Sequence, residues 1–175
     1  MKEKFMCIKK IYIFLFLLVF GSFVYGQNSS QKEAEIRSFC QVLEQMTPNA
    51  GALAWGMIRQ LNPKFDEKLV TVGQDGIKRI GLCQLTEDVL EMFAKNLVPE
   101  YPYTAKGSIS IVSGLYQLVN TQFPDDQKTK MIISAWFMLY GLDGMDSNKR
   151  PLSTDEQDAI LKVVDYAYNF QKGIF

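Results

Sequence analysis

The sequence predicts an all-α fold of about six helices in one compact domain. Three observations carry that expectation. Six stretches place apolar residues at three- and four-residue steps, the period of a helix with one buried face. Two of the six, near 50–61 and 127–140, are apolar on almost every side, which suits helices enclosed by the others. Proline, glycine and short polar runs separate the stretches at intervals expected of helix-to-helix connections.

Taken in order, Ala34, Ile36, Phe39, Val42, Leu43 and Met46 mark a first helix entered through Ser29 or Ser30 and ended by Thr47-Pro-Asn49. A second helix spans about Ala50 to Leu61, with Leu53, Trp55, Met57 and Ile58 in the core and Pro63 as its stop. Residues 64–80 read as an irregular loop or a short pair of strands, with Gly73 and Gly76 around Gln74-Asp75 as a tight turn. A third helix follows from about Thr86 to Asn96. Thr86 is its expected N-cap, and Glu87 and Asp88 complement its dipole. Beyond the Pro99–Tyr103 loop a fourth helix runs from about Ser108 to Gln122. A fifth spans about Gln127 to Tyr140, and a last helix opens on the capping box Ser153-Thr-Asp-Glu156.

The N-terminal segment is read separately. Lys2, Lys4, Lys9 and Lys10 precede an apolar run from Ile11 to Phe20, and Val24 and Gly26 occupy the −3 and −1 positions of a signal-peptide cleavage site. Residues 1–26 are therefore expected to be a signal peptide cut between Gly26 and Gln27, leaving 27–175 as a single exported domain, periplasmic or extracellular. The alternative is an uncleaved anchor. Ile11 to Tyr25 is shorter than the roughly 20 residues that span a bilayer, so no membrane span is expected in the mature chain. No cysteine directly follows the apolar run, which argues against a lipid anchor.

Composition removes whole classes of chemistry. The chain has no histidine, so Ser-His-Asp and Cys-His catalysis and imidazole-built zinc sites are excluded. Without the leader's four lysines and one glutamate, 19 basic and 19 acidic residues become 15 and 18. That mild acidity gives no footprint for nucleic acid. Cys40 and Cys83 remain, either as one disulfide or as two separate buried thiols. No cofactor and no metal are expected. Asp143, Asp146 and Asn148 have oxygen-rich spacing but lack the rest of a calcium loop. The domain reads as a monomer.

Several segments, in order, resemble the soluble lytic transglycosylase branch of the lysozyme superfamily. They are Trp55-Gly-Met-Ile-Arg-Gln60 with Asn62-Pro-Lys-Phe65, then Ile80-Gly-Leu-Cys-Gln-Leu85, then Ile111-Val-Ser-Gly-Leu-Tyr-Gln-Leu-Val119. Ala135–Tyr140 with Gly141 and Gly144 follows, and last the helix bearing Glu156, Ile160, Val163, Val164 and Tyr166. The resemblance implies a lysozyme-like domain that meets peptidoglycan, with Gly81, Cys83 and Gln84 lining a cleft and the Gln84 amide facing sugar. Read from the residues alone, the same segment is a helix start with Leu82 and Leu85 in the core. Tyr101-Pro-Tyr103 is either a sugar-stacking platform or a proline-fixed connection, and Tyr140 lacks the asparagine that follows it in the family.

That family cleaves glycan with one glutamate at the end of a buried helix, where desolvation keeps it protonated. Here that position falls on Leu61 or Asn62, and neither shuttles a proton. Three readings follow: a transglycosylase-like domain that binds peptidoglycan or a cell-wall-associated protein without cutting; an active enzyme with a relocated acid, Glu67 first and Glu87 second; or an inhibitor or immunity protein of a wall-targeting enzyme.

Overall fold

A computed structural model describes residues 29–73, 75–94, 103–123, 126–144 and 152–175. The leader at 1–26 and Tyr101 lie outside them, as do the side chains of Asp143, Asp146 and Asn148. Among the described residues the chain forms six helices and one small sheet: α1 Ser29–Met46, α2 Ala50–Leu61, β1 Val70–Val72, β2 Lys78–Ile80, β3 Leu85–Thr86, α3 Glu87–Ala94, α4 Ala105–Gln122, α5 Gln127–Gly144 and α6 Thr154–Gln171. The all-α expectation holds, and the 64–80 segment resolves into strands. No described helix is long and apolar enough to cross a membrane.

Helix α2 is the axis of the domain. Every residue from Ala50 to Ile58 is buried, and α1, α4 and α6 surround it. Two glycines set how closely the neighbours approach. A Cβ on Gly51 would lie 1.9 Å from the Cys40 carbonyl of α1, and one on Gly56 2.2 Å from the Val163 carbonyl of α6. Only glycine lets these backbones come so near. Trp55 fills the space beside them, with Phe65 and Phe170 at 5.9 and 5.5 Å between ring centroids.

The caps account for several boundaries. Helix α4 begins at Ala105, three residues earlier than the apolar spacing predicts, because the Thr104 hydroxyl accepts from Gly107 N. Helix α6 carries the complete capping box of Ser153 and Glu156. Thr86 instead belongs to β3, and its hydroxyl donates to the Asp88 carboxylate. Helix α5 breaks at Gly141, whose φ of 70° and ψ of −171° belong to a region essentially reserved for glycine.

The sheet is antiparallel in the order β1-β2-β3. Thr71 pairs with Arg79, and Arg79 in turn with Thr86. The Gly73–Ile77 turn joins the first two strands, with Gly73 N donating to Ile77 O. The segment Gly81–Gln84 is neither a helix start nor an open loop. It is a tight turn between β2 and β3, with positive φ at Gly81 (78°) and Gln84 (52°).

Candidate functional site

Helix α2 ends at Leu61 with Asn62 as its C-cap, the two positions on which the resemblance would place the acid. The Asn62 side chain is 1% exposed and fully engaged. Nδ2 donates to Asp66 O at 2.6 Å and to Leu82 O at 3.2 Å, while Oδ1 accepts from Asp66 N at 3.0 Å. One amide thus closes the turn after α2 and ties it to the turn at 81–84. Two carbonyl oxygens require a donor here, and an ionised carboxylate would face both of them without one. Pro63 and the positive φ of Phe65 (56°) complete the turn.

Gln84 repeats this arrangement. It is also 1% exposed, and its Nε2 donates to Leu69 O and Gly81 O at 2.9 and 2.8 Å. Its Oε1 accepts from the Thr71 hydroxyl at 2.6 Å. The expected sugar-facing amide is therefore occupied inside the protein, where it braces β1 against the 81–84 turn. Gly81 is buried beside it. Cys83 is fully buried, as is Cys40, and the two are free thiols. Burial pushes both thiols up; for Cys40 the proximity of Cys83 and Glu44 adds to the effect.

Leu61 and Tyr140 line a common concavity, and Gln84 is not among its lining residues. The concavity, of about 510 Å³, lies between the end of α2, the β-hairpin, α5 just before its break, and the start of α6. Leu61, Leu139 and Ala159 supply its apolar surface, with Thr71 on the hairpin side. Asp75 and Arg79 of the hairpin, with Ser153, Asp155 and Glu156 at the start of α6, complete the lining. Arg79 Nε donates to Leu139 O at 2.9 Å, Nη2 donates to Asp75 Oδ2 at 2.7 Å, and the guanidinium lies 5.3 Å from the Tyr140 ring centre. Burial opposes ionisation of Asp75, but its hydrogen bonds, led by that from Arg79, outweigh it and hold the carboxyl below its ordinary value.

Glu67 and Glu87 lie elsewhere. Glu67 lines a second concavity of about 660 Å³ with Lys32, Asp66, Lys68, Tyr103 and Thr104. Its Oε1 is 3.3 Å from Lys32 Nζ, and its Oε2 accepts from Ala105 N at 2.9 Å, so it completes the start of α4. Glu87 is exposed and pairs with Lys78 at 2.6 Å. Tyr103 is exposed at the rim of the Glu67 concavity. Among the described residues no cluster of three or more His, Cys, Asp or Glu is placed to hold a metal ion.

The sequence reading overlooked Arg79, Asp75 and Thr71. A signal was present: an arginine in a strand, four residues after an aspartate across a glycine turn, is placed to pair with it. Comparison of the chain with family models, with curated proteins and with solved structures gives no match.

Proposed function

We propose that the chain is an exported lysozyme-like domain that interacts with peptidoglycan or a cell-wall-associated protein and does not cleave glycan. The observation carrying this reading is the end of α2. There Leu61 faces the concavity, and Asn62 is an amide whose donors hold two carbonyls. General acid help to the leaving oxygen is worth about two to four orders of magnitude, and neither side chain supplies it. The signal-peptide pattern supports the compartment, and the ordered motifs support the kinship.

The test is incubation of the mature protein with purified sacculi, measuring retention by pull-down and released anhydro-muropeptides by mass spectrometry. Retention without release is expected. Release that disappears in Glu67→Gln would replace this reading with the relocated-acid enzyme. Absence of retention, together with a tight stoichiometric protein partner, would replace it with the inhibitor reading.

A further inference from the structure

We infer that the free edge of β1 is an interface for a second copy of this chain, paired antiparallel about Thr71. Nothing in this pairing depends on wall binding.

Strand β1 lies at the edge of the sheet, and among the described residues β2 is its one strand partner. Its three residues, Val70-Thr-Val72, are all exposed. An antiparallel strand with one wet face normally turns its apolar residues to the core and its polar residues to solvent. Here the pattern is reversed. Thr71 lines the concavity and donates its hydroxyl to Gln84, whereas Val70 and Val72 are 48% and 67% exposed. No other large apolar side chain among the described residues is as exposed as Val72. The strand also contains no lysine or proline, the residues that commonly guard an edge against pairing.

The backbone of this edge is open as well. Gly81 N donates to Leu69 O and Gly73 N donates to Ile77 O, so positions 69 and 73 direct these groups at β2. By the alternation of an antiparallel ladder, the N–H and C=O of Val70 and Val72 point away from the sheet. Val-Thr-Val reads the same in both directions, which makes the strand its own antiparallel complement. With Thr71 opposite Thr71 of a second copy, each Val70 faces a Val72 and exchanges both backbone hydrogen bonds with it. A two-fold axis normal to the sheet keeps the valines of both copies on one face, where they cover one another. Thr71 and Arg79 lie on the other face and line the concavity, so a dimer carries both of its concavities on that face.

Three residues a side bury little area, so the expected dimer is weak, with a Kd of about 100 µM. The mature protein is followed by sedimentation velocity from about 10 µM to about 1 mM. Monomer should convert to dimer and to nothing larger, because a two-fold contact closes on itself. Val70→Lys combined with Val72→Lys should weaken dimerisation by more than about tenfold and leave the urea midpoint in place. Thr71→Cys, treated with oxidised glutathione, should link two copies, since opposed residues of a non-hydrogen-bonded pair lie about 4.5 Å apart at Cα. Val70→Cys should not link, because in this register it faces Val72. Cys40 and Cys83 are buried and do not compete. A monomer at every concentration, a dimer undiminished in the double lysine variant, or linking through Val70→Cys as readily as through Thr71→Cys would each overturn the inference. So would a persistent monomer whose Val70 and Val72 amides shift with the acetylated peptide Lys-Leu-Val-Thr-Val-Gly, which marks an edge for extended peptides and not for a second copy.

Discussion

The two ends of α2 solve opposite electrostatic problems. At its N-terminus the helix leaves N–H groups without partners, and Glu44 from α1 supplies a carboxylate to them. Asn49 N donates to Oε1 and Ala52 N to Oε2, each at 2.9 Å. At its C-terminus carbonyls accumulate and the dipole is negative, and the side chain placed there is an amide that donates twice. A carboxylate is therefore favourable at the first end and costly at the second. An enzyme that works through a buried carboxylic acid at a helix end accepts that cost, because a destabilised carboxylate stays protonated and can act as an acid. This domain carries Asn62 instead, and its α2 terminus is satisfied rather than strained.

The largest effects should come from the seam that both ends depend on. Gly51→Ala or Gly56→Ala puts a methyl group within about 2 Å of a backbone carbonyl on α1 or α6. The gain in helix propensity, about 1 kcal/mol, is outweighed by overpacking of about 3 kcal/mol or more against backbone that cannot step aside. The urea midpoint should fall steeply or the domain should fail to fold.

Asn62→Asp tests the comparison directly, since the shape is kept and the donors are exchanged for charge. A loss of about 3 kcal/mol is expected at neutral pH. The new carboxyl should titrate above its ordinary value in the folded protein, so the deficit should shrink as the pH falls and the group gains a proton. A variant as stable as the parent at pH 7 would show that the C-terminal end does not demand a donor.

At the opposite end Glu44→Gln keeps one acceptor and removes the charge, for a loss of about 1 kcal/mol by urea unfolding. Asp75 gives a further acid-limb effect. Its carboxyl titrates low in the folded protein, so its contribution is complete above the ordinary aspartate value of about 3.9 and is lost as the pH falls through the lower folded value. Asp75→Asn should flatten that limb of the stability–pH curve. The smallest change belongs to Glu67→Gln. Its ion pair with Lys32 is partly exposed and the glutamine still accepts from Ala105 N, so stability should move by less than about 1 kcal/mol.

Much of the fold was legible because it depends on period and punctuation. The span of α2 from Ala50 to Leu61 and the end of regular α5 helix at Tyr140 follow from apolar spacing, Pro63 and Gly141. The capping box at Ser153 follows from four residues of local sequence. Thr104 as the cap of α4 was missed because its loop reads as proline-rich connection, and β3 because two residues carry no period. At the site, Leu61 and Tyr140 line one concavity although 79 positions separate them, and no local period in the sequence brings them together. Gln84 was read as facing outward, because a motif gives the identity of a side chain and not its rotation.

The sequence by itself determined the helical class, the order of its elements and the lack of a glutamate at either candidate position at the end of α2. Each of these is local, fixed by residue identity and spacing along the chain. Tertiary structure decided where the polar side chains point. Asn62 reaches Leu82, Gln84 reaches Leu69, and Arg79 reaches Leu139, contacts separated by 20, 15 and 60 positions. Which buried carbonyl lacks a partner is known only once distant segments have packed, and a buried amide must turn toward that carbonyl because leaving either group unpaired costs about 1–3 kcal/mol.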